Sequence, residues 1–109
     1  MPGSPRYVLV RRDRPGRAAE RARLQPEHAA YQERFLPLIV YGGGLVGDPV
    51  DTGSTVDIRD VIGNVLVFEA DRATVEDFHR NDPYTQADLF ELAIVERLWQ
   101  RVPDPGSGA

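Results

Sequence analysis

The chain has 109 residues, enough for one domain, with 41% hydrophobic residues and a formal net charge of −4. That acidic balance argues against a nucleic-acid binder, and no apolar run approaches the roughly 20 residues that span a bilayer. There is no cysteine and no lysine, all 13 basic residues are arginine, and serine occurs only at Ser4, Ser54 and Ser107. Thiolate, Schiff-base and lysine-base mechanisms are thereby excluded, and Ser54 lacks the G-x-S-x-G setting of a hydrolase nucleophile.

The Pro/Gly/Ser-rich ends, 1–5 and 102–109, are expected to be flexible, leaving one domain over 6–101. RYVLVRR (6–12) is a β-rich run bounded by charge and predicts a first strand. RPGRAAERARLQ (14–25) reads as a loop leading into a short helical piece, its arginines forming a solvated face or, as the alternative, binding an anionic substrate. PEHAAYQERF (26–35) predicts a helix with Pro26 at its first position and Glu27 in its first turn. LPLIVYGGGL (36–45) contains a second strand that ends in three glycines, and GDPVDTGSTVDIRD (47–60) is a turn-rich, solvated connection without a period. IGNVLVFEA (62–70) is a third strand, and DRATVEDFHRN (71–81) a second helix with Asp71 as its N-cap. After NDPYTQADL, FELAIVERLWQ (90–100) supplies the fourth strand.

The order β-α-β-β-α-β is α+β and ferredoxin-like: an antiparallel sheet with both helices on one face. YVLV, LIV, VLVF and LAIV are continuous apolar runs, so the face without helices also needs a cover. A homodimer packed sheet against sheet is the simplest one. A cytoplasmic protein without a signal peptide is the default expectation.

Two polar residues interrupt apolar stripes. Leu24, His28, Tyr31 and Phe35 recur at helical spacing, as do Val75, Phe78 and Asp82. A lone inward histidine is most often a core residue bonded to a backbone carbonyl, and Asp-Pro commonly opens a turn. The topology brings the two together. Each helix runs back against its preceding strand, so the start of the first and the finish of the second share one end of the domain. The connection carrying Gly42, Gly43 and Gly44 emerges there too, and the three features outline a pocket. A carboxylate accepting from one imidazole nitrogen would fix the tautomer and leave the other nitrogen to move a proton, while the nearby helix N-terminus would favour the neutral ring. His79, beside Arg80 at a helix end, is expected to complement the dipole as a protonated ring.

In QPEHAAY, YGGGL, GNVLVFEA and NDPYTQADLF, over roughly residues 6–100, the chain resembles the YCII-related (YciI-like) family. The resemblance implies a dimeric α+β barrel with a His–Asp active site, carried here by His28 and Asp82, with Tyr84 and the Gly43–Gly44 backbone in the cleft. In fold the family is similar to muconolactone isomerases and antibiotic-biosynthesis monooxygenases, and one branch removes HCl from chlorinated hydroxyquinones. The expectation is a small enzyme without cofactor or metal. His28 would be general base and acid in elimination, isomerisation or cyclisation of a small, aromatic or quinone-like molecule. The alternative is a noncatalytic dimeric ligand-binding or accessory module. A redox role like that of the monooxygenases ranks last, since no residue favours it.

Overall fold

The computed structural model describes residues 5–104; most of the expected flexible ends, 1–4 and 105–109, lies outside the described residues. Pro5 is already tied down, its carbonyl accepting from the Ala70 N–H at 3.0 Å.

Strand β1 (Arg6–Asp13) leads into helix α1 (Ala18–Glu33), a 3₁₀ turn (Leu36–Leu38) and β2 (Ile39–Val46). A long connection with a second 3₁₀ turn (Ile58–Asp60) precedes β3 (Val61–Glu69), α2 (Arg72–Asn81), a single-turn α3 (Pro83–Gln86) and β4 (Phe90–Leu98). The strands form one antiparallel sheet in the order β2-β3-β1-β4. This is the ferredoxin-like order, and the long β1-to-β2 and β3-to-β4 crossovers carry the helices.

β1 shows why the sheet has two unlike faces. Tyr7, Leu9, Arg11 and Asp13 are buried and alternate with Arg6, Val8, Val10 and Arg12, which are not. On the buried face Tyr7 and Leu9 join Leu66 and Phe68 of β3 under Val75 and Phe78 of α2, with Tyr31 of α1 packed alongside. The other face carries Val8, Val10, Val65, Ile94 and Leu92 by register, and Leu92, Ile94, Tyr41 and Trp99 are exposed.

Three expectations are corrected. α1 does not begin at Pro26: it is a 16-residue helix from Ala18, with the proline inside it. The missing N–H costs one intrahelical bond, but Arg21 and Leu24 before the proline and His28 after it are all buried, and packing on both sides holds the helix together. The three glycines do not end β2; they lie within it. A Cβ on Gly42 would stand 2.4 Å from Leu66 Cδ2 and 2.9 Å from the Val65 carbonyl oxygen, so that inward position requires glycine for close approach. The segment after Asp82, read as a plain connection, forms α3.

Candidate active site

Asp82 sits where two helices meet. It closes α2 and caps α3, its Oδ1 accepting from the Tyr84 N–H at 2.9 Å. An acid at the negative end of α2 is therefore also an acid at the start of the next turn, which needs an acceptor. The carboxylate is fully buried. Both its oxygens lie 2.9 Å from His28 Nδ1, and Oδ2 lies 3.0 Å from an Arg11 terminal nitrogen. Burial alone would raise the Asp82 pKa. The His28 hydrogen bond, the Arg11 charge and the Tyr84 N–H outweigh it and hold the carboxyl below its ordinary value.

An ionised carboxylate only accepts, so His28 Nδ1 carries the proton and Nε2 is the ring's basic nitrogen. The imidazole stacks on Tyr84, with centroids 4.2 Å apart and planes 15° from parallel. Tyr84 is buried, and burial pushes its phenol up, against the opposing pull of Arg21. The Arg21 guanidinium lies 4.6 Å from the Tyr84 centroid and is held bidentately by Asp13, both bonds at 2.7 Å. Burial lowers the Arg21 pKa, but the bonds and charge of Asp13 more than offset it, and the net direction is upward.

These side chains face a cleft of about 380 Å³ between α1 and the β2–β3 half of the sheet. His28, Tyr84, Arg21, Gln25, Gln32 and Asn64 supply polar groups; Leu36, Ile39, Ile58, Val61 and Leu66 supply apolar walls, and the Gly42–Gly44 backbone lies between. The cleft is large enough for a single-ring molecule, and Ile58 brings the largely exposed 47–60 connection to its edge.

His28, Asp82 and Tyr84 thus come together. Gly44 lies on the helix side opposite Asn64, whereas Gly43 pairs with Val65, and a Cβ there would point into open space; Gly43 reaches the cleft by backbone alone. His28 stands in the third turn of α1, not at its start, so the expected influence of the helix N-terminus on its ring does not apply. His79 is not a free cationic cap. Its ring is half-buried near Phe90, with Nδ1 3.3 Å from both Arg11 and Thr85 Oγ1, and burial and the Arg11 charge push its pKa down. Of the arginines assigned to a solvated face, Arg21 is buried at the cleft.

Arg11, Asp13 and Asn64 escaped the sequence reading, and Arg21 entered it only among the arginines offered as an alternative site for an anionic substrate. The signal for the first two was the alternation Tyr7, Leu9, Arg11, Asp13, which puts two charges on the face of β1 that must be buried. Among the described residues no three His, Asp or Glu side chains gather as a metal site would require, and no helix is long and apolar enough to cross a membrane.

The model of the YCII-related domain matches residues 5–99. The chain belongs to this family. Among solved structures it is similar to 5-chloro-2-hydroxyhydroquinone dehydrochlorinase from Burkholderia phenoliruptrix AC1100, in complex with 2,5-dihydroxybenzoquinone: 35% identity, 87% of this chain and 93% of that one, TM-score 0.75. It also shares its fold with PA3566 from Pseudomonas aeruginosa, at 11% identity over 92% and 96% of the two chains and a TM-score of 0.50. No curated protein matches the sequence. The YCII-related chain therefore has as a structural neighbour a small-molecule enzyme that eliminates HCl.

Proposed function

We propose that this YCII-related protein is a small enzyme of lyase or isomerase type, in which His28 Nε2 takes and returns a proton on a single-ring aromatic or quinone-like substrate. The observation that carries the reading is the bond from His28 Nδ1 to the buried Asp82 carboxylate at the wall of a ring-sized cleft. Asp82 orients the imidazole and stabilises the imidazolium formed when the proton is taken. For an elimination like that named for the dehydrochlorinase, Nε2 takes a proton from a ring hydroxyl and returns it to the chlorine-bearing carbon, and loss of a second hydroxyl proton to Nε2 then drives chloride out and leaves the quinone. The stacked Tyr84 ring keeps the imidazole from turning, and Arg21 and the glutamines are placed to receive substrate oxygens.

The test is chloride release from 5-chloro-2-hydroxyhydroquinone. His28→Ala is expected to lose about 10²-fold or more in kcat/KM while keeping its fold, the usual scale for removing a general base. Turnover that survives the substitution would sink the acid–base reading. Failure to release chloride while another hydroxylated ring is isomerised in a His28-dependent way would move the substrate and keep the role.

The open sheet face belongs to the same proposal. Val10, Val65 and Ile94 lie side by side across β1, β3 and β4, and Tyr41 and Trp99 are 66% and 78% exposed. A second copy packed on this face would bury them. Ile94→Arg is expected to shift sedimentation from dimer to monomer; a wild-type monomer at high micromolar concentration would overturn the dimer.

A further inference from the structure

Arg11 heads the fully buried side chains of the domain by size. It lies on the helix side of a central strand, in the buried row Tyr7, Leu9, Arg11 and Asp13. Its Nε donates to Asn64 Oδ1 at 3.0 Å, and one terminal nitrogen is shared between Asp82 Oδ2 at 3.0 Å and His79 Nδ1 at 3.3 Å. Its guanidinium carbon sits 4.5 Å from the Phe90 centroid and 5.6 Å from that of Phe78, and its other terminal nitrogen is buried without a hydrogen-bond partner among the described residues. For stability alone a buried ion pair gains little, because replacing both partners by apolar side chains of similar volume is often neutral or stabilising. Its close ionic partner is Asp82.

A buried carboxylate beside a histidine can have its charge balanced in two ways. Either the imidazole becomes imidazolium, or another cation takes the role and the imidazole stays neutral. Arginine keeps its proton where histidine exchanges one. We infer that Arg11 is a positioning residue of the His28 site, holding Asp82 as an oriented and already neutralised acceptor for the His28 Nδ1–H and leaving Nε2 free to move a proton. The inference rests on the proton-transfer role proposed for His28. It adds the reason why a carboxylate next to the ring does not simply consume its basic form as an ion pair.

The surrounding charges leave this assignment to Arg11. On α1, Arg21 is already matched by Asp13 of β1. α3 brings the Tyr84 phenol, and α2 brings His79, which meets Arg11 and not the His28 ring. The 3₁₀ turn at the cleft edge brings Arg59 between Asp57 and Asp60, all exposed, and β2 and β3 line the cleft without a charged side chain.

The test needs no substrate. Ring ¹⁵N resonances of His28 report both tautomer and protonation, and are followed against pH in the wild type, Arg11→Met and Arg11→Lys. The wild type is expected to show the Nδ1–H tautomer above its titration. In Arg11→Met the midpoint should move up by about one pH unit or more, since Asp82 then has only His28 to balance it, while Arg11→Lys should stay near the wild type. A folded Arg11→Met with an unmoved midpoint would overturn the inference and leave the His28 proposal standing. A wild-type Nε2–H tautomer would strike the His28 proposal itself. Arg11→Gln takes the place of Arg11→Met if the latter does not fold; if no substitution gives a folded spectrum, Arg11 serves the fold alone and the inference fails.

Discussion

Asp82→Asn is expected to lower the unfolding free energy by about 3–5 kcal/mol, measured by denaturant titration near neutral pH. The figure is that of breaking one side of a buried ion pair, because the substitution leaves Arg11 as an uncompensated cation inside the domain. Asparagine retains an oxygen that can still accept from the Tyr84 N–H, so loss of the α3 cap contributes little, and the deficit is electrostatic. For a domain whose total stability is about 5–15 kcal/mol, this is a large share. His28→Ala removes no charge partner that Arg11 needs and should fall well short of that loss. The ordering Asp82→Asn worse than His28→Ala is the sharp form of the prediction; the reverse order would mean that Arg11 is balanced elsewhere.

The pH dependence separates the same contributions. Asp82 is held below the ordinary aspartate value in the fold. Its stabilisation is therefore complete above the unfolded value of about 3.9 and is lost as pH falls through the lower folded value. The difference between wild type and Asp82→Asn should thus persist at pH 5 and shrink in stronger acid. His79, whose pKa is also lowered, favours the neutral ring in the fold. It should cost the wild type stability as pH falls below about 6.5.

His28 and Asp82 were legible because each is a polar residue on an otherwise apolar helical stripe, and because a βαββαβ order sets both helices on one face of the sheet. The expected meeting of helix ends was not the reason, since His28 stands inside α1. Asp82's second duty was not legible, since four residues of α3 are too few to show a period. Pro26 misled because its preference for a first turn is local, while Arg21, Leu24 and His28 are buried on both sides of it; tertiary packing decided the helix start. The glycines of β2 misled for a related reason. Glycine is a weak strand former on its own, and only the Leu66 side chain lying over Gly42 shows why the strand runs on. Arg11 was hidden by treating charge as the boundary of β1. The period-2 alternation continued through it and carried it into the interior.

Gly63→Ala is the second large effect, and it acts through backbone. Gly63 pairs with Arg12 across the β1–β3 ladder, and a Cβ there would stand 2.2 Å from the Arg11 carbonyl oxygen and 3.2 Å from Arg12 Cα. No rotamer relieves a clash with main chain, so β1 and β3 must part locally. Overpacking of this kind costs about 1–3 kcal/mol, and occasionally more. The opening falls on the strand pair that joins Arg11 to Asn64, whose 3.0 Å bond spans the same two strands one residue from the clash. A variant that folds should therefore lose definition at Arg11 before it loses the α2 core, and its His28 titration should move in the direction expected for Arg11→Met. Gly43→Ala is the control. Its Cβ meets nothing within 4 Å, and the substitution should be neutral or stabilise by up to about 1 kcal/mol through the unfolded chain. Equal losses at the two positions would point to strand flexibility, not the close approach of β1 to β3, as the property glycine supplies.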